Sequence, residues 1–157
     1  RHHEAALAAL HVLGLPTIVF FPDAPPALLE RYGAPHLVFS AKPLALAQTA
    51  READAAVTYA SMSTATSFLL KGKPLLLLPG HLEQFLLARR IEEMGAGLLV
   101  NPEQPPADLE RKLRRILFDA EFSLNAQAFA RKYSNFPQDT VIAHLVRRIE
   151  EIAAVAL

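Results

Sequence analysis

The sequence predicts an α/β domain: a Rossmann-like parallel sheet with helices on both faces, followed by a helical C-terminal extension. Three observations predict it. Short β-rich runs alternate with amphipathic helical stretches along the first hundred residues. Several of those runs are continuously apolar, as in PTIVFF at 16–21 and LLLL at 75–78, the pattern of strands covered on both faces. After Pro102 the strand signals stop and only helical periodicity remains.

The elements follow in order. Residues 5–13 are Ala/Leu-rich and stop at Gly14, a helix with a glycine terminator. The run 16–21 is the first strand. Pro22 and the pair Pro25-Pro26 punctuate a loop before a short helix through Arg31, closed by Gly33. Residues 37–39 (LVF) form the next strand and 44–52 the next helix. Strands over 55–58, 75–78 and 97–100 complete a set of five. Between them lie a helix ending at Gly72 and a second ending at Gly95-Ala96-Gly97. In the extension, 108–118 carries apolar residues at Leu109, Leu113, Ile116 and Leu117, one face of a helix. Residues 120–133 and 140–154 read likewise, separated by a loop around Pro137. Doubly wound domains open on a strand, whereas this chain opens on a helix, so the expectation is that a first strand lies upstream of Arg1.

Composition excludes several classes. A chain of 157 residues, 52% hydrophobic and 20% charged, has the makings of a single globular domain. With 16 Lys+Arg against 16 Asp+Glu, the formal net charge is zero, which leaves no field to draw nucleic acid or an anionic membrane. The basic clusters Arg89-Arg90, Arg111-Lys112-Arg114-Arg115 and Arg147-Arg148 sit beside acids at helical spacing, as solvated helix faces do. The absence of cysteine rules out disulfides, thiol catalysis and Cys-based zinc sites. No apolar run approaches the ~18 residues that cross a bilayer, and the first residues do not form a secretory signal. The expected location is the cytosol.

Two segments carry candidate chemistry. In Tyr59-Ala60-Ser61-Met62-Ser63-Thr64, between a strand and a helix, small residues let a diphosphate approach the backbone, and helix-start amides favour an anion. Ordinary N-capping by the Ser61 or Ser63 hydroxyl accounts for the same composition without a ligand. In Pro79-Gly80-His81-Leu82-Glu83-Gln84, Glu83 and Gln84 lie beyond the carboxyl end of a strand, where open α/β sheets bind ligands, and can exchange hydrogen bonds with sugar hydroxyls. Glu83 could equally serve only to complement its helix dipole. His81 has no HExxH spacing and no carboxylate pair, so no metal is expected. His2, His3, His11, His36 and His144 are scattered and read as surface or packing residues. No P-loop, no G-x-G-x-x-G and no G-x-S-x-G elbow occurs.

Taken together, residues 37–117, and most of all 53–100, resemble the C-terminal, nucleotide-sugar-binding domain of GT-B glycosyltransferases. The UDP-glycosyltransferases and the family of the peptidoglycan-precursor N-acetylglucosaminyltransferase are the types most similar. The resemblance rests on Ala53-Asp54, Gly72-Lys73-Pro74, Pro79, Glu83-Gln84, Ala88 and Gly95-Ala96-Gly97, in that order and spacing. It implies half of a GT-B fold, with the turn through Ser61, Met62, Ser63 and Thr64 holding the diphosphate of a UDP-sugar. It also implies that the position of Ser67 faces the ribose, that Tyr59 lies near the phosphates, and that Gly80, His81, Glu83 and Gln84 meet the transferred sugar. The backbone from Ser40 to Lys42 would face the base. The sequence departs from the family where Tyr59 replaces a frequent His, where Ala60 and Ser61 replace frequent Gly, and where Ser67 replaces Glu. Losing a charged hydrogen bond at Ser67 costs ~1.5–3 kcal/mol of donor binding.

The resemblance implies transfer of a hexosyl group from a UDP-sugar to an acceptor, with no cofactor beyond the donor itself. The acceptor site and base would come from a second domain upstream or a subunit in trans, so the isolated chain is expected to bind without turning over. A non-catalytic interaction module that has kept this fold is the alternative. A sugar-nucleotide epimerase of the same architecture is a third reading, disfavoured because the acidic and His groups such sites use are not placed here.

Overall fold

In the computed structural model, which describes residues 2–104, 107–136 and 138–155, eight helices and five strands alternate and then give way to helices alone. The order is α1 (His2–Leu13), β1 (Thr17–Val19), α2 (Pro26–Tyr32), β2 (Leu37–Phe39), α3 (Leu46–Glu52), β3 (Ala56–Thr58) and α4 (Met62–Leu69). There follow β4 (Leu75–Leu77), α5 (Leu82–Glu93), β5 (Gly97–Leu99), α6 (Leu109–Phe118), α7 (Ala120–Lys132) and α8 (Gln138–Val155). The expected loop at Pro137 falls outside the described residues. All five predicted strands form within their expected spans, although β1 keeps only Thr17–Val19 of the run 16–21. Gly14, Gly72 and Gly95 adopt φ of 66°, 69° and 68°, the left-handed turn that stops a helix.

Every strand pair is parallel, but the strands fall into two sheets rather than one. β1 pairs β2, and β3-β4-β5 form a second sheet with β4 central. Within β4 the side chains alternate between two cores. Leu75 and Leu77 join Ala65, Phe68, Leu69, Ala88, Ile91 and Ala126 on the side of α4, α5 and α7. Leu76 and Leu78 join Ala6, Ala9, Leu109, Leu113, Ile116 and Phe122 on the side of α1 and α6. The three-stranded sheet is thus covered on both faces, as the continuous apolar run predicts.

The β1–β2 sheet departs from that expectation. Ile18 and Val38 stand in register, and each is 54% exposed. One face of this sheet therefore stays open, although PTIVFF reads as a strand covered on both. The physical reason is that no helix among the described residues crosses this face. Instead, α1 ties the unit down from its flank. Arg31 Nη1 donates to Glu4 Oε1 at 2.9 Å, the His11 ring reaches the Tyr32 carbonyl at the end of α2 at 3.2 Å, and the His36 ring, just before β2, reaches the His11 carbonyl at 3.1 Å. These two histidines are packing residues, as expected. The helix faces are also as expected: Arg89 and Arg90 pair with Glu93, Arg111 with Asp108, Arg114 with Glu110, Arg115 with Asp119 and Arg148 with Glu151.

Candidate functional site

Because β3 and β4 run parallel in one sheet, α4 and α5 both start at the same edge, beyond the strands' carboxyl ends. The link from β3 to α4 is tight. Ala60 takes φ 61°, a left-handed backbone that costs a non-glycine residue ~1–2 kcal/mol. That conformation turns the chain from strand to helix in three residues, and it falls on a position where the GT-B resemblance expects glycine.

Ser61 occupies the N-cap position of α4, but neither it nor Ser63 caps the helix through a side chain, contrary to the capping reading. The Ser61 hydroxyl donates instead to Thr64 Oγ1 at 3.0 Å. The first helical bond runs from Ala65 N–H to the Ser61 carbonyl at 2.9 Å. Among the described residues the N–H groups of Met62, Ser63 and Thr64 therefore have no acceptor, and they open a turn suited to an anion.

The second loop is organised differently. Gln84 Oε1 accepts the Gly80 N–H at 2.8 Å, a third-residue side chain reaching back over the helix start. This occupies the Gln84 oxygen and leaves its amide NH2 as a donor. Glu83 lies exposed in the first turn of α5, and no cation among the described residues pairs with it. His81, the N-cap residue, is exposed and extended.

The remaining predicted residues are committed locally. Ser67 donates to the Ser63 carbonyl at 2.8 Å, turning its hydroxyl into its own helix. Ser40 donates to the Lys42 carbonyl at 2.7 Å while the Lys42 N–H returns to Ser40 Oγ at 3.3 Å, closing that loop on itself. Ser40 and Lys42 follow β2, in the other sheet. The fold thus brings Tyr59 to Thr64 and Gly80 to Gln84 to one edge, places Ser67 more than a turn further along α4, and leaves Ser40 and Lys42 outside that pair of neighbouring strands.

Two histidines assigned to surface or packing also reach this edge. His2 and His3, with Leu78, Pro79, Gly80, Val100 and Pro102, line a cleft of about 210 Å³. The expected start of α1 at residue 5 leaves both outside the helix; the helix begins at His2 and carries them to the strand ends. A signal was available in the pair His2-His3 standing immediately before the apolar run. A larger cleft, about 310 Å³ and lined by Asp54, Lys73, Ser123 and Gln127 among others, sits at the amino ends of β3 and β4. That is the opposite edge from the one where open sheets bind ligands; the smaller cleft lies at the carboxyl edge. Among the described residues no group of three potential metal ligands converges, and no helix is long and apolar enough to cross a membrane.

This architecture, parallel strands flanked by helices with two helix starts sharing a carboxyl edge, is that of the C-terminal half of GT-B glycosyltransferases. Among solved structures, the spinosyn rhamnosyltransferase SpnG, complexed with spinosyn aglycone, matches 95% of this chain with a TM-score of 0.78 and 25% identity. The glycosyltransferase VinC, complexed with dTDP, matches 94% at 0.73 and 21%. Phytolacca americana UGT2, complexed with UDP-2-fluoro-glucose and pterostilbene, matches 94% at 0.75 and 11%. The chain spans 38–40% of the length of these proteins. No family profile and no curated protein matches the sequence.

Proposed function

We propose that this chain is the donor-binding half of a glycosyltransferase, holding a UDP-sugar at the shared edge of α4 and α5. The observation that carries the reading is the α4 turn: a left-handed Ala60 followed by three amides without acceptors. In this reading the amides of Met62, Ser63 and Thr64 hold the pyrophosphate. Tyr59 and Ser61 border it and the Ser67 position faces the ribose, while Gly80, His81, Glu83 and the Gln84 amide meet the transferred hexosyl group. Ser40 and Lys42 border the base. That VinC and UGT2 are bound to nucleotides on the same overall fold supports it.

The same reading places the acceptor site in a second domain or subunit, in a cytosolic enzyme, and one further parallel strand between β1 and β3. The hydrogen-bonding pattern supports that strand. Thr17 and Val19 pair with β2, and Ala56 and Thr58 with β4, so Ile18 and Val57 direct their backbone groups to the opposite, free edges.

Calorimetric titration with UDP, UDP-glucose and UDP-N-acetylglucosamine tests the proposal. Saturable heat is expected at or below millimolar ligand, with no glycoside formed when an acceptor is added. Silence at millimolar concentration would favour the alternative, a non-catalytic interaction module. Ser67 favours that alternative, since its hydroxyl is already bound to its own helix. Efficient turnover by the chain alone would refute the need for a separate acceptor half.

A further inference from the structure

A third element supplies a side chain to the edge that α4 and α5 share. The His3 ring meets Phe21, just past β1, with centroids 5.4 Å apart and planes at 82°. It also meets Tyr59, just past β3, at 5.1 Å and 72°. Both contacts are edge-to-face, a geometry that fixes the orientation of the ring. The same imidazole lines the cleft with His2, Pro79 and Gly80, so it touches the residue before the α4 turn and borders one cleft with the loop that leads into α5.

Three other histidines commit a ring nitrogen to a backbone carbonyl: His2 to Gln104, His11 to Tyr32 and His36 to His11. Among the described residues both His3 nitrogens are uncommitted. Burial first, and then nearby positive charge including that of His2, holds the His3 pKa below its ordinary value, which keeps the ring neutral at pH 7 with one N–H to donate. Among the described residues the titratable groups facing it are His2 and Tyr59, and no carboxylate of theirs lines the cleft. Apart from the two imidazoles, the lining is apolar side chains and glycine, so an anionic oxygen is the partner this chemistry fits.

We propose that His3 contacts the donor directly, donating an imidazole N–H to a phosphate oxygen of the bound nucleoside diphosphate. This rests on the donor-site reading above and adds a contact from α1. The test is an NMR titration of the 157-residue chain with UDP and, separately, with uridine, which has the same base and ribose and no phosphate. In the wild-type chain UDP, but not uridine, is expected to shift the His3 side-chain nitrogen resonances. His3→Ala is expected to weaken UDP binding about tenfold and leave uridine unchanged, while His3→Gln, which keeps a donor, stays within about threefold. Equal losses for UDP and uridine would make His3 a structural wedge and overturn the proposal. So would unmoved His3 resonances in a wild-type chain saturated with UDP, a result that does not depend on either variant folding. If the wild-type chain binds no UDP at all, the donor-site reading falls, and this contact falls with it.

Discussion

β1 and β4 are both three-residue parallel strands cut from longer apolar runs, yet they end in opposite surroundings. β4 has a strand on each side and helices on both faces, and Leu75, Leu76 and Leu77 are wholly buried. β1 has one partner and one open face, so Ile18 stays more than half exposed beside Val38. Similar residue types thus give a core strand in one place and a half-finished sheet in the other. Hydrophobic sequence specifies that a segment can be buried; whether it is depends on the elements that arrive to cover it.

The largest effect that would break this comparison is a pair of truncations. Leu76→Ala removes a side chain packed between α1, α6 and the sheet, and is expected to cost ~2–5 kcal/mol. Ile18→Ala removes a side chain that already faces solvent, and is expected to cost less than ~1 kcal/mol. Urea denaturation of both variants decides it. Equal losses would mean that β1 is covered in solution by something the chain supplies.

Gly97 gives a second, smaller contrast, this time within the covered sheet. A Cβ there would stand 2.6 Å from the Leu75 carbonyl oxygen and 2.9 Å from Ile91 Cγ2, where β5 packs between β4 and α5. The first clash is with backbone, so it cannot be relieved by rotating a side chain. Gly97→Ala is expected to destabilise by ~1–3 kcal/mol in the same urea experiment. Gly14 lies in the open half of the molecule, and a Cβ there would meet nothing within 4 Å, so only its left-handed backbone, φ 66°, resists the change. Gly14→Ala is accordingly expected to cost ~1–2 kcal/mol from conformation alone.

The contrast also marks how far the sequence could be read. The segment from β3 to β5 was legible nearly residue by residue, because Gly72, Pro74, Gly95 and Gly97 punctuate it and each strand pairs with its neighbour in the chain. The two helix starts at one edge followed from that order. The division into two sheets was not legible, since local pattern says which segments become strands and not which strands meet, a question of space. The candidate site divides the same way. The Ser/Thr turn and Glu83-Gln84 were visible as motifs. The choice of the Ser61 hydroxyl for Thr64 over an amide was not, and neither was the approach of His3 to Phe21 and Tyr59, residues 18 and 56 positions away.

The smallest expected effect falls at Ala60, between β3 and α4, where the candidate site begins. Removing a buried methyl to leave glycine ordinarily costs ~1.5–2 kcal/mol within a helix, through lost burial and a more flexible unfolded chain. Ala88→Gly, wholly buried in the middle of α5, is expected to show that full cost. Ala60 is buried to the same degree but sits at φ 61°, where glycine escapes the ~1–2 kcal/mol left-handed penalty that alanine bears. The opposing contributions nearly cancel, so Ala60→Gly is expected within ~0.5 kcal/mol of the wild type. A loss at Ala60 as large as that at Ala88 would show that the turn into α4 carries no stored strain. The open amides of Met62, Ser63 and Thr64 would then be held by packing of the helix alone, without help from a backbone poised at the strand end.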